Sequence, residues 1–233
     1  MNDRIEELKK LEEKYKLLPK ENLEILIYFR TPFSIIGNIH FDALLSFCVV
    51  RDLLGDEFYN YQGSTQHLWD IPLPLDTRGS DHKYWAASRG VWEGKESITS
   101  WKKRFDTKYD DYVTFGKKKP CINHKFGHFK AYDMPLVIHA TPFIKFYANG
   151  NKKEIVRLLG YLHVIGKKTS QGFGWLKKIE TKSIENDYSC FFNNIVMRAI
   201  PEIPYEIREG MRIEYTGYRP PYWSPKNQKM CLV

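Results

Sequence analysis

The stretch with the densest chemistry is residues 166–178, GKKTSQGFGWLKK. Glycines at 166, 172 and 174 permit positive φ angles and let a ligand approach the main chain without meeting a Cβ atom. Exposed amides arranged in this way form anion-binding nests, and Lys167, Lys168, Lys177 and Lys178 add positive charge with no acidic residue among them. Phosphate is the guest such a loop suits, with Ser170 and Gln171 as further donors. The order of elements excludes two other phosphate loops. A nucleotide P-loop runs from strand to helix and ends in Lys followed by Ser or Thr, whereas this segment runs from helix to strand and has no such pair after Gly172. A dinucleotide fingerprint needs a third glycine where Lys177 stands. The alternative that stays open is a glycine-capped helix followed by an ordinary turn with solvated lysines.

Composition points the same way. The chain of 233 residues carries 36 basic and 28 acidic side chains, a net charge of +8. The surplus is uneven: residues 1–30 hold seven of each sign, but residues 95–130 hold ten basic and four acidic side chains. A polyanionic partner fits this pattern. Aromatics make up 15% of the chain, and interleaved with Lys and Arg they suit single-stranded RNA, which needs stacking surfaces and backbone neutralisation. An aromatic-rich core is the other use of such residues. The four cysteines, at 48, 121, 190 and 231, lie far apart with no CxxC pair and are expected to be reduced. No apolar run approaches the roughly 18 residues of a membrane span, and a cytoplasmic protein is expected.

Cys121, His124 and His128 form a C-x2-H-x3-H cluster that could supply three zinc ligands. With no second cysteine nearby, these histidines are expected to face water or phosphate, and neither metal nor cofactor is expected. His67, His82, His139 and His163 form no usable pattern.

Positioning these residues requires a scaffold. Residues 3–18 carry a narrow apolar stripe with i, i+4 Glu–Lys pairs and end at Pro19, predicting a helix on the periphery of its own domain. LEILIYFR at 23–30 reads as a buried strand ending at Arg30. Helical spacing from His40 to Leu54, closed by Gly55, gives the first helix. MPLVIHA and PFIKFYA read as two strands joined at Thr141 and Pro142. Asn151 with Glu154 caps the next helix, and Phe173–Glu180 returns as a strand. The order βαββαβ predicts an α+β fold of ferredoxin-like (RRM-like) type over residues 21–181, with 55–131 as a long insertion. Residues 1–20 form a helical extension. Residues 182–233 form a smaller β-rich part with CFFNNIVMRAI as a strand.

The combination resembles the RAMP superfamily of CRISPR-associated proteins, whose glycine-rich loop is seen here as GKKTSQGFG. IHFDALL, PLPL at 72–75, YWAASRG at 84–90, MPLVIHATP and PPYW, in that order, resemble the Cas-five-like capping subunit of type IV or type VII effector complexes. The likeness covers the chain from about Leu23 onward and leaves the N-terminal helix aside. It implies a non-catalytic subunit that grips the 5′ repeat-derived handle of a guide RNA and nucleates a filament of backbone subunits, to which a nuclease or helicase is added. On this view Gly166, Lys167, Lys168, Ser170, Gln171, Gly172, Gly174, Arg30 and His40 meet RNA. Tyr84 and Trp85, beside Ser88 and Arg89, could stack on splayed nucleotides, with burial of Trp85 inside the insertion as the equal alternative. A related branch of the superfamily cuts repeat RNA without metal. There His40 would be the general base, with Lys167 or Lys168 steadying charge.

Overall fold

In the computed structural model, which describes residues 2–59, 70–113, 122–202 and 210–233, the segment read as a buried strand lies at the centre of the main sheet. The elements run α1 (Asn2–Leu17), β1 (Glu21–Phe29), α2 (Phe41–Leu54), β2 (Thr77–Arg78), β3 (Tyr84–Trp85), β4 (Lys95–Lys103), β5 (Tyr132–Ala140) and β6 (Phe143–Gly150). They continue with α3 (Lys152–Leu159), β7 (Leu176–Ser183), β8 (Phe191–Phe192), β9 (Ile195–Val196), β10 (Ile213–Gly217) and β11 (Gln228–Leu232). The fold is α+β, with three α-helices and several small antiparallel sheets among the described residues.

β1 lies between β6 and β7, antiparallel to both. Strand side chains alternate between faces, and Leu23, Ile25 and Ile27, all fully buried, occupy one of them. They join Phe41, Leu45 and Cys48 of α2, Phe146 of β6 and Ile155 and Leu158 of α3 in the main core. Burial pushes the Cys48 thiol up to about 12, so it behaves as an apolar core residue. The amide of Glu154 donates to Asn151 Oδ1 at 3.0 Å, the cap that the sequence spacing predicts.

The two strands joined at Thr141–Pro142 do not sit side by side in this sheet. β5 pairs instead with β4 along its whole length, forming a separate ribbon from Lys95↔Ala140 to Lys103↔Tyr132. The free edge of β6 is taken by the segment expected to be an excursion. Ser88 N donates to Tyr147 O and Val91 N to Lys145 O, each at 2.8 Å, while Asn149 N donates to Ala86 O at 2.9 Å. Small residues make this approach possible. A Cβ on Gly90 would fall 2.8 Å from Ile144 Cγ2 and 2.9 Å from Phe146 Cε1. Leu73 and Leu75 of the PLPL run are also in the main core. Part of the insertion therefore satisfies the sheet edge, which would otherwise expose unpaired backbone groups.

CFFNNIVMRAI is not one strand but a hairpin, β8 to β9, turning at Asn193 (φ 46°) and Asn194 (φ 68°). Two consecutive positive φ angles are what a two-residue primed turn demands, and Asn tolerates them. Together with β10 and β11 it carries a second core containing Val196, Ile200, Tyr218, Cys231 and Leu232, which also takes in Tyr84.

α1 is less peripheral than its charge pattern suggests. Tyr15 is 2% exposed and its hydroxyl donates to Glu154 Oε1 at 3.3 Å, while Lys14 reaches the same oxygen at 3.4 Å. Arg157 bridges Glu154 to Asp52 of α2, and its hydrogen bonds hold both carboxyls below their usual range. Removing residues 2–17 is expected to lower stability by about 2 kcal/mol or more, since Tyr15 and the packing of Leu11 are lost. A denaturant midpoint equal to that of the full chain would return the helix to the periphery.

Candidate nucleic-acid interface

The glycine loop is built by a bridge between Val164 and Trp175 and by hydrogen bonds to the segment after β1. Lys167 N donates to Ser34 O at 2.7 Å, Gly174 N to Pro32 O at 2.8 Å and Trp175 N to Thr31 Oγ1 at 3.0 Å. Two of the glycines are demanded by this packing. At Gly166 (φ 100°) a Cβ would lie 2.5 Å from Ser34 O, and at Gly174 (φ 71°) it would collide with Ile165 O. Gly172 (φ 92°) has open space around it.

The expectation that Gly172 and Gly174 offer free amides is corrected by this geometry. Gly174 N is bonded as above, and Gly172 N and Gln171 N close a 3-10 turn on Thr169 O and Lys168 O. Among the described residues, the amides of Lys168, Thr169 and Ser170 at the start of that turn, together with Gly166 N, donate to no protein acceptor. The nest is therefore displaced toward Lys168, itself held in a left-handed conformation at φ 58°.

The loop's lysines differ. Lys168 Nζ lies over the Trp101 ring of β4, 3.2 Å from its centroid, and Lys178 pairs with Glu180 at 2.6 Å above the ring of Tyr28. Lys167 and Lys177 make no ion pair among the described residues. Beside them stands a residue the sequence reading did not single out, Trp175. The residue is 49% exposed although its Nε1 donates to Thr169 O at 3.3 Å. Arg30 N donates to Trp175 O, and Arg30, His163, Trp175 and Lys177 line one open groove of 470 Å³. An exposed indole fixed among cations is a stacking platform with backbone neutralisation beside it. Glycine punctuation and lysine density marked the segment; only the fold reveals that the tryptophan faces outward.

The remaining sequence candidates meet elsewhere, around a buried polar node. Arg198 is 2% and Asp42 0% exposed, with Arg198 Nη2 3.4 Å from Asp42 Oδ2. Arg198 also donates to the carbonyls of Trp85, Ala87 and Tyr218. The Tyr222 hydroxyl donates to the Asp42 carboxylate, at 2.7 and 2.9 Å from its two oxygens. Burial and the Asp42 charge hold that phenol in its protonated form. His40 stacks on Tyr222 with ring centroids 4.1 Å apart, and burial lowers its pKa to about 4.

IHFDALL, YWAASRG and PPYW therefore converge as a structural joint. Tyr84 is buried under Arg198, with its phenol pushed up to about 12, and is not a stacking surface. Ser88 is fully buried, donating to Arg89 O and accepting from Tyr147 N. Trp85 is half-buried against the main core. Arg89 keeps a partly exposed side chain with no ion pair among the described residues. Cys121 of the C-x2-H-x3-H cluster lies outside the described residues, and no metal-holding group of His, Cys, Asp and Glu occurs among them. No described helix is long and apolar enough to cross a membrane.

No curated protein matches the chain. Among solved structures, the cryo-EM structure of the Type III-B Cmr-beta bound to cognate target RNA is similar at 12% identity and a TM-score of 0.37, over 78% of this chain and 66% of that one. The chain thus spans slightly less than two thirds of that neighbour's length. The family model described as CRISPR type IV associated protein Csf3 matches residues 21–233, from the first residue of β1 to the last residue of the sequence. The chain belongs to the Csf3 family of type IV CRISPR-associated proteins.

Proposed function

We propose that this type IV effector-complex subunit binds the 5′ repeat-derived handle of the guide RNA and nucleates assembly of the backbone subunits, without catalysing cleavage. Its scaffold in this reading is a ferredoxin-like domain over residues 21–181, with residues 1–20 and 182–233 as additions. The order of the elements and the β6-β1-β7 sheet support that assignment. The carrying observation is the exposed Trp175 set between Arg30, His163 and Lys177, beside the free amides of Lys168, Thr169 and Ser170. Cations and amides take phosphates, which positions an RNA without reading it, and the indole takes a base. A nuclease or helicase joins the complex as a further partner, in the cytoplasm. The test is to purify the protein with its genomic neighbours and sequence the RNA that accompanies it. A uniform 5′ repeat tag is expected, and random RNA would overturn handle binding.

Cleavage is disfavoured by the setting of His40. A general base must come within hydrogen-bond reach of a 2′-hydroxyl and be oriented for it, yet this ring lies flat on Tyr222 and its Nδ1 has no hydrogen-bond partner to orient it as a base. Repeat RNA incubated with the protein and chelator is expected to stay intact. A 2′,3′-cyclic phosphate product that disappears in His40→Ala would establish the endoribonuclease instead.

A further inference from the structure

Between the start of α2 and the β10–β11 pair lies a cavity of 90 Å³ that the handle-binding surface does not use. Its walls include His40, Arg89, Arg198, Arg212, Glu214 and Thr216. Two buried polar atoms on these walls have no hydrogen-bond partner, Arg198 Nε and His40 Nδ1. Such orphans are costly, because a buried donor that loses water and gains no acceptor forfeits its solvation. Arg198 is 2% exposed, so bulk water does not reach it freely.

The side chains at the cavity leave one cation unpaired: Asp42 pairs with Arg198 and Glu214 pairs with Arg212 at 2.7 Å, while Arg89 has no ion pair among the described residues. Val233, the last residue of the sequence, also lines the cavity, and its α-carboxylate is a third acidic group there. His40 is the N-cap residue of the 14-residue helix α2, so the positive end of that helix adds to the same field. The space accommodates a phosphate group rather than a whole nucleoside.

We propose that this cavity is a binding site for a phosphate group, held by Arg89, Arg198 Nε and Arg212 with His40 Nδ1–H and the Thr216 hydroxyl as further donors. The group is either free inorganic phosphate or the terminal phosphate of an RNA strand, since both present the same oxygens. Guanidinium groups suit it because their planar forks match phosphate geometry. The assignment is independent of handle binding at Trp175. A bound anion also opposes the desolvation that holds the His40 pKa near 4, so occupancy should raise that pKa.

The test follows the His40 ring resonances by NMR while inorganic phosphate is added at constant ionic strength with chloride as the balancing anion. A saturable shift and an upward move of the His40 pKa are expected, with affinity falling about tenfold in Arg89→Gln and again in Arg212→Gln. Both side chains are partly or largely solvent-exposed, so these variants keep the buried Asp42–Arg198 pair. A second arm uses oligoribonucleotides with a 5′-phosphate, a 3′-phosphate or only hydroxyl ends. The same His40 response from a phosphorylated strand alone identifies an RNA end as the source, and response to free phosphate alone identifies the ion. No saturable His40 shift with either probe overturns the site and assigns the cavity to water. RNA that perturbs the Trp175 resonances but leaves His40 unmoved would sink this proposal while sparing the handle-binding one.

Discussion

Replacing Arg198 with Met is expected to destabilise the protein by about 3–5 kcal/mol, the range for breaking a buried ion pair by removing one partner. Asp42 would keep a buried charge with the Tyr222 hydroxyl and the Ala43 N–H as donors but no ion-pair partner among the described residues. The carbonyls of Trp85, Ala87 and Tyr218 would lose a donor in the same step. These groups come from α2, from the segment covering the edge of β6 and from the C-terminal part, so one side chain holds three regions together. Tyr222→Phe should cost less, about 1.5–3 kcal/mol, because it removes one hydroxyl that bonds a charged group. A double variant, Asp42→Asn with Arg198→Met, should recover part of the loss, since no uncompensated charge remains. Denaturant melts of all four proteins measure these differences. A loss under about 1 kcal/mol for Arg198→Met would mean that the node is not the joint proposed, because surface-like substitutions already cost that little.

Much of this arrangement was legible in the sequence, and the parts that were not share a cause. Period and caps expose elements that are local: β1, α2, α3 and β7 fall within a few residues of where apolar spacing, Gly55 and Asn151 place them. Pairing between distant segments leaves no such mark. That residues 86–91 rather than β5 line the edge of β6 turns on small residues whose importance appears only in the fold, as at Gly90, which lies against Ile144 and Phe146, and at Ala87, which bridges Ala148. The Asn-Asn turn that splits CFFNNIVMRAI was a local signal and could have been read as a hairpin. The joint at Asp42 could not, because Asp42, Trp85, Arg198 and Tyr222 are scattered along the chain. Aromatic and basic residues in YWAASRG read as an RNA surface by composition, yet Tyr84 with a cation over it is also how a core tolerates a buried arginine. Exposure separated the two uses, hiding Tyr84 and presenting Trp175.

Trp175→Ala is expected to weaken binding of the handle RNA by about 1–3 kcal/mol, roughly five- to 150-fold in Kd, the usual contribution of one base stacked on an aromatic side chain. Trp175→Phe should keep most of the affinity, because a smaller ring still offers a face. The indole also donates to Thr169 O, so loss of that bond could loosen the loop and mimic a binding defect. Two glycines separate these effects. Gly174→Val drives a side chain into Ile165 O and should disrupt the loop outright, whereas Gly172→Ala meets no neighbour and costs about 1 kcal/mol of backbone strain at positive φ. Equal binding by Gly172→Ala and the parent would then show that a modestly strained loop still works, leaving stacking as the reason for the Trp175→Ala loss. Lys167→Ala and Lys177→Ala supply the electrostatic half of the argument. Each should lower the log–log salt slope by about 0.7 if its lysine neutralises one phosphate of a single strand. Unchanged affinity in a folded Trp175→Ala, together with an unchanged slope in both lysine variants, would remove the RNA from this groove.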